Sequence, residues 1–164
     1  MSNVFSPPHQ ISANDWDKFK AARIRAVADS PSAFGDTLEQ VESYPDNYWV
    51  EGIKNSQVFV INIDGDYVAT VVLKQDDDGV WSIKSLWTEP EYRGNGLATQ
   101  LLHTVIDTAK ATGITEIELG INFSQSAAIT LYESFGFRTV KTIPNVSMGD
   151  GSTNTLLVMR LTLI

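Results

Sequence analysis

The sequence predicts an α/β fold built on one mixed, mostly antiparallel sheet with a central parallel strand pair, flanked by helices. Two patterns carry that prediction. Apolar runs at residues 57–63, 67–74 and 80–88 are separated by Asp64-Gly65 and by the acidic turn Asp76-Asp77-Asp78-Gly79, as in an antiparallel meander. The third run then leads through a glycine-rich turn into a helical pattern and a further strand, and such a crossover makes its two strands parallel. A chain of 164 residues, 43% hydrophobic and 20% charged, is long enough to bury a core as one domain spanning residues 1–164.

Taken in order, residues 1–11 hold two adjacent prolines and no periodicity, so they are expected to give at most a short edge strand. They contain no signal-peptide apolar segment, and no run in the chain reaches membrane-spanning length. A helix is expected over residues 14–28, capped by Asn14 and ended by Ser30-Pro31. Trp16, Phe19, Ala22, Ile24, Ala26 and Val27 form its imperfect apolar stripe. Shorter helical stretches follow at residues 37–43 and from Pro45 to Ile53. Tyr44, Tyr48 and Trp49 concentrate aromatic surface there, as plain packing or as the wall of a substrate pocket. In the strand at residues 80–88, strict alternation puts Trp81, Ile83, Ser85 and Trp87 on one face and Val80, Ser82, Lys84, Leu86 and Thr88 on the other.

Pro90 stops that strand. From Leu97 the apolar positions fall at Leu97, Ala98, Leu101, Leu102, Val105, Ile106 and Ala109, one buried helical face that ends at Gly113. A strand at residues 114–121 follows, then a helix at 126–135 with Ser124 as cap and Gly136 as stop. A strand at 138–143, a loop at 144–154 rich in Gly, Ser and Asn, and a last strand at 155–163 complete the order.

The turn between strand and long helix is the first candidate site. Gly94 and Gly96 allow a tight turn with no β-carbon to block a ligand. Free N–H groups converge at a helix N-terminus whose dipole favours negative charge, and Arg93 adds a positive one. That combination suits a phosphate or pyrophosphate. A Walker A loop would end in Gly-Lys-Ser/Thr, whereas Leu97 and Ala98 follow Gly96. A Rossmann turn would put a small residue where Thr99 stands.

Composition removes other classes. The formal charge of −8, from 12 basic and 20 acidic residues, argues against a nucleic-acid surface and mildly favours a cationic partner. With no cysteine and only His9 and His103, no thiol nucleophile and no metal centre is expected, and the location expected is cytoplasmic. The three adjacent aspartates lack the glycine and terminal glutamate of a calcium loop.

A second stretch, NFSQSAAITLYESFGF from Asn122 to Phe137, places Ala128, Leu131, Tyr132 and Phe135 on one helical face, so Tyr132 points inward. Its hydroxyl then needs a partner, structural or catalytic.

Together these stretches resemble the GCN5-related N-acetyltransferase (GNAT) family. Arg93 to Ala98 (RGNGLA) fit its Arg/Gln-x-x-Gly-x-Gly/Ala motif, and Ala128, Leu131, Tyr132, Gly136 and Phe137 fit its second motif. The resemblance implies a GNAT-like fold whose parallel strands splay around the acyl arm of acetyl-CoA. It implies that Leu86, Trp87 and Thr88 bind that arm through their backbone and supply an oxyanion site. Backbone amides of Arg93, Gly94, Asn95, Gly96, Leu97, Ala98 and Thr99 would hold the pyrophosphate. Tyr132 would be the general acid, with no covalent acyl-enzyme. The family asparagine falls on Gln125, with Asn122 as an alternative, and Thr88 stands where the family is usually aliphatic. The acceptor implied is a primary amine of a small molecule or peptide, and a homodimer is compatible with the resemblance. Glu39, Glu42, Asp46, Glu51 and Glu118 are the carboxylates considered as base, beside a water chain. Residues 23–40 resemble a bacterial subset of the family with diverse acceptors. The alternative function is a non-catalytic acyl-CoA-binding sensor.

Overall fold

The computed structural model describes residues 4–163. Part of the N-terminal edge-strand expectation, at residues 1–3, lies outside the described residues. The rest holds as β1 (His9–Gln10), which pairs with one edge of β2 (Gln57–Ile63). Hairpins join β2 to β3 (Asp66–Gln75) and β3 to β4 (Trp81–Thr88), all antiparallel. After the glycine turn, α4 (Leu97–Ala111) crosses to β5 (Glu116–Asn122), which runs parallel to β4. The chain continues through α5 (Ser126–Ser134), β6 (Arg138–Ser147) and β7 (Thr153–Thr162). The seven strands lie in the order β1-β2-β3-β4-β5-β7-β6.

Each face of the sheet buries its own core. On one face the periodic residues of α4, with Leu101, Leu102, Val105 and Ala109 fully inaccessible, pack on Phe59, Ile61, Val71 and Leu73. On the other, Phe19, Ala22, Ala26 and Val27 of α1 (Trp16–Asp29) meet Val58, Val60 and Val72. Val41 of α2 (Leu38–Ser43) and Trp49 and Ile53 of α3 (Asp46–Lys54) join that second core. Alternate residues of β2 thus serve opposite cores, as strand geometry requires. Thr37 starts α2 with a full capping box to Gln40.

The structure corrects several expectations. Asn14 does not cap the first helix. Ser12 caps a short 3₁₀ turn at Ala13–Asp15, from which α1 continues. Ser124 does not cap α5 either; Gln125 holds the cap position without a side-chain bond. Residues 144–147 are strand rather than loop. Pro144 and Asn145 sit where the register of β6 slips against β7, with Asn145 at φ 59°, and an edge strand tolerates both.

The largest correction is in β4. Thr70 faces Trp87 but Val72 faces Lys84, so β4 carries one extra residue, and Ser85 there has φ 57°. The Thr70 hydroxyl donates to the Ser85 carbonyl at 2.9 Å. Past this bulge the alternation inverts: Ile83 belongs to the α4 core, whereas Trp87 belongs to the α1 core. Leu86, expected opposite Ile83, packs on the same side as Ile83.

Candidate active site

β4 and β5 pair only once, at Ser82 and Glu118. Beyond that point they diverge, and the β5-facing backbone of residues 85–88 has no strand partner. Two adjoining cavities open there, of about 470 and 550 Å³, with Phe34, Leu86, Gln125 and Ala128 in the walls of both.

The first cavity ends on the glycine turn. Gly94 and Gly96 have φ of 81° and 75°, and a Cβ at either would meet no protein atom within 4 Å, only open space. The first helical bond is donated by Gln100 to the Gly96 carbonyl at 3.0 Å. The N–H groups of residues 94–99 therefore have no backbone acceptor among the described residues, and α4 has no side-chain cap. Such a row of donors at a positive helix end suits the oxygens of a pyrophosphate. Of the residues expected to hold the pyrophosphate, Arg93, Gly94, Gly96, Leu97, Ala98 and Thr99 wall this cavity, and Leu86, Trp87, Thr88 and Gln125 stand in the same wall. Leu97 offers only its backbone, since its side chain is in the core. Asn95 instead ties the turn, donating from Nδ2 to the Tyr92 carbonyl at 2.8 Å.

Arg93 is not a free cation. Its Nη2 donates to Asp29 at 2.6 Å and its Nε to the Thr88 carbonyl at 3.0 Å, so it straps the turn to β4 and to the end of α1. Its own N–H already donates to Pro90. Asp29 also accepts from Trp87 Nε1 at 3.1 Å and from Ser30 Oγ at 2.8 Å. Burial pushes the Asp29 carboxyl up, but these bonds and the Arg93 charge outweigh it and hold the carboxyl below its ordinary value. The Trp87 indole is thereby tied to the end of α1, and Trp87 and Thr88 both stand in the wall of the first cavity.

The second cavity holds Tyr132. The residue is 7% exposed, its ring meets Phe137 edge-to-face at 5.7 Å, and its hydroxyl makes no hydrogen bond among the described residues. Burial pushes that hydroxyl well above the ordinary tyrosine value. It is a held proton with no protein acceptor. Gln125 walls both cavities and its side chain forms no hydrogen bond there, whereas Asn122 is committed. The Asn122 amide donates to the Ser32 carbonyl at 3.0 Å and accepts from Ser124 N and Oγ at 2.9 and 2.8 Å.

The far wall of the second cavity is one that the sequence did not single out. Residues 33–36 cover it, pinned by Gly149 N donating to the Phe34 carbonyl at 2.8 Å. A Cβ on Gly149 would collide with the Asp36 carbonyl, so glycine is required for this clasp. Arg23 and Asp36 face the same space. Of the carboxylates considered as base, Glu39, Glu42, Asp46 and Glu51 are exposed and wall no cavity at this site, and Glu118 is paired with Arg160 at 2.9 Å at the opposite end of β5. Asp36 is the carboxylate present. Its signal in the sequence was only the Gly35-Asp36 turn after Phe34. Among the described residues no cluster of acidic and histidine side chains suits a metal ion, and no helix is long and apolar enough to cross a membrane.

Comparison with known proteins matches residues 24–137 to a family described as the acetyltransferase (GNAT) family. The chain belongs to that family. Enzymes of that family are acyltransferases, and acetyl-CoA is the cofactor that they use. A mycothiol acetyltransferase of Beutenbergia cavernae is 30% identical over 122 residues, 73% of this chain and 40% of that protein. N-alpha-acetyltransferase 30 of Schizosaccharomyces pombe is 30% identical over 107 residues, 62% of this chain and 70% of that protein. The chain spans about two fifths of the length of the mycothiol enzymes it matches. Among solved structures, yncA of Salmonella typhimurium, described with its cofactor acetyl-CoA, superposes with a TM-score of 0.80 at 20% identity, covering 100% of this chain and 95% of that one. At that identity the likeness is one of GNAT fold, and the parallel β4–β5 pair and flanking helices agree with it.

Proposed function

We propose that residues 1–164 act as one cytoplasmic acetyltransferase domain that moves an acetyl group directly from acetyl-CoA to a primary amine. One observation carries this reading: a continuous groove leads from the free amides of residues 94–99, through the open β4–β5 edge, to the unpartnered hydroxyl of Tyr132. Acetyl-CoA, when bound, supplies the thioester: a C–N bond forms to the amine, the C–S bond breaks, and the sulfur leaves with the electron pair.

The chain's own residues do the rest. Amides of residues 94–99 bind the pyrophosphate, and the turn that carries them is strapped by Arg93 to Asp29. Backbone donors of residues 86–88 and the Gln125 amide face the acyl arm, with Leu86 and Ala128 keeping water from it. Asn122 acts at a distance, by fixing the chain at Ser32 and Ser124. Tyr132 delivers its proton to the departing sulfur and regains one from solvent. A phenol carries its proton at neutral pH, as an acid requires, and burial raises the value of this one further. Asp36 or water takes the proton lost by the amine. No cysteine is available to form a thioester with the enzyme. A sensor that only binds acyl-CoA would need the amides but no proton donor at the junction.

The test is release of free thiol from acetyl-CoA in the presence of an amine panel, with the acetylated amine identified by mass. Turnover with any amine supports the proposal. Tight CoA binding with no acetyl transfer to any amine would replace it by the sensor.

A further inference from the structure

We infer that the acceptor is an amino acid or short peptide that carries its own carboxylate, and that Arg23 is the residue that holds it. This inference rests on the acetyltransferase reading for which bond is made, but not for what the pocket binds.

Arg23 lies on α1 and is only 9% exposed, yet its guanidinium donates no hydrogen bond among the described residues, and Nη1 is fully buried without a partner. Its guanidinium lies over the Phe34 ring, 4.7 Å from Cζ to the ring centroid. Asp36 is close enough to act on its charge but forms no ion pair with it. Burial pulls the Arg23 value down, and Asp36 and Tyr48 offset this only in part. A buried guanidinium with its fork unused is costly, and native structures normally satisfy such a group.

The position of Arg23 says what would satisfy it. It walls the 550 Å³ cavity that contains Tyr132 and also a further cavity of about 310 Å³ behind it. Trp49 stands in the wall of that further cavity, and its Nε1 is likewise buried with no acceptor. Both orphaned groups are donors, so the missing partner is an acceptor of hydrogen bonds. Lys74 and Lys84 add positive charge there, against the single carboxylate of Asp36. The local field is thus opposite to the chain's net −8, and it overrides the mild preference for cationic partners drawn from composition.

Planar forked recognition selects a carboxylate. A doubly charged phosphate would be repelled by Asp36, which walls both cavities, whereas a zwitterion sets its ammonium beside that carboxylate. Phe19, Tyr44 and Tyr48 leave apolar surface for the acceptor's side chain.

The experiment presents L-amino acids to the full chain, each beside its amide and its decarboxylated amine. Acetyl transfer is followed by thiol release, which has no background from a chain without cysteine. The same compounds are titrated by calorimetry against the CoA-saturated protein. The acid form of the preferred compound should exceed its amide by about 10- to 100-fold in kcat/KM and in affinity, the scale of a charge-assisted pair. Arg23→Met should collapse that ratio toward one. Trp49→Phe should reduce it less, which keeps a readout should Arg23→Met fold poorly. If wild-type protein treats acids, amides and amines alike, the subsite is wrong although turnover upholds the acetyltransferase. If Arg23→Met lowers acid and amide equally, Arg23 is structural and the inference also fails. Acid-selective binding without any acetyl transfer would keep the subsite and sink the enzyme instead.

Discussion

Replacing Tyr132 by Phe separates a proton donor from a core tyrosine. The ring and its edge-to-face contact with Phe137 at 5.7 Å survive the change. The hydroxyl has no hydrogen-bond partner among the described residues, so its loss orphans nothing, and stability should change by no more than about 1 kcal/mol. For a chain of this size that is a melting shift of roughly 2–4 °C. Acetyl-CoA affinity should be nearly unchanged, because the amides of residues 94–99 are remote from the substitution. Turnover should fall by about 10²–10⁴, or roughly 2.7–5.4 kcal/mol of barrier. Since the donor acts in the transition state, kcat and kcat/KM should fall together. Burial places the folded-state value above the unfolded one near 10, so the folded chain holds the proton more tightly. The stability this contributes is complete below about pH 10 and declines as pH rises from there. Denaturation midpoints between about pH 9 and 11 should therefore drop less steeply in Tyr132→Phe than in wild type. A mutant that turns over at the wild-type rate, with native melting and CoA affinity, would remove Tyr132 from the chemistry.

Three further substitutions test the groove. Gly96→Val puts a β-branched residue at φ 75° and a side chain in the open space beside the amides; it should cost about 1–2 kcal/mol of stability and weaken CoA at least about tenfold by calorimetry. Asp29→Ala strands Trp87 Nε1 and frees Arg93, so the melting curve should report a loss of about 1–3 kcal/mol, accompanied by weaker CoA binding as the turn loosens. Gly149→Ala forces the turn off the Asp36 carbonyl; about 1–3 kcal/mol of stability and most acceptor affinity should go, while CoA affinity stays, and an equal loss of both would show the two cavities are not separable.

Much of this was legible in the sequence because it is local. The α4 stripe, the hairpin at Asp64-Gly65 and the short helix beginning near Thr37 depend on neighbours within a turn or two, and the structure has them where they were expected. The glycine turn was legible for the same reason. What was not legible depends on distant partners. The inversion at Ser85 needs Thr70 on the next strand to take its carbonyl, and periodicity alone cannot carry an extra residue. Arg93 reads as a free cation until Asp29, 64 positions earlier, neutralises it. The burial of Arg23 has no local signal, since residues distant in the chain, 34–36 and 49, stand with it in the cavity walls.

The strand order has a consequence for how such a chain is made. β7 lies between β5 and β6, although it follows both in the sequence. As the polypeptide emerges, β6 has no template to join, because β5 keeps its open edge for residues not yet synthesised. The backbone edge of β5 that β7 pairs, residues 116–122, must therefore wait unpaired until residues 153–162 arrive. The glycine turn and α4 can assemble early on the meander. The acceptor wall cannot, because the Gly149 clasp precedes β7 by only a few residues and closes on residues 34–36 from the opposite end of the chain. A nascent chain stalled before β7 would thus carry the phosphate-binding turn but no acceptor pocket, and would be an aggregation-prone intermediate for chaperones to shield.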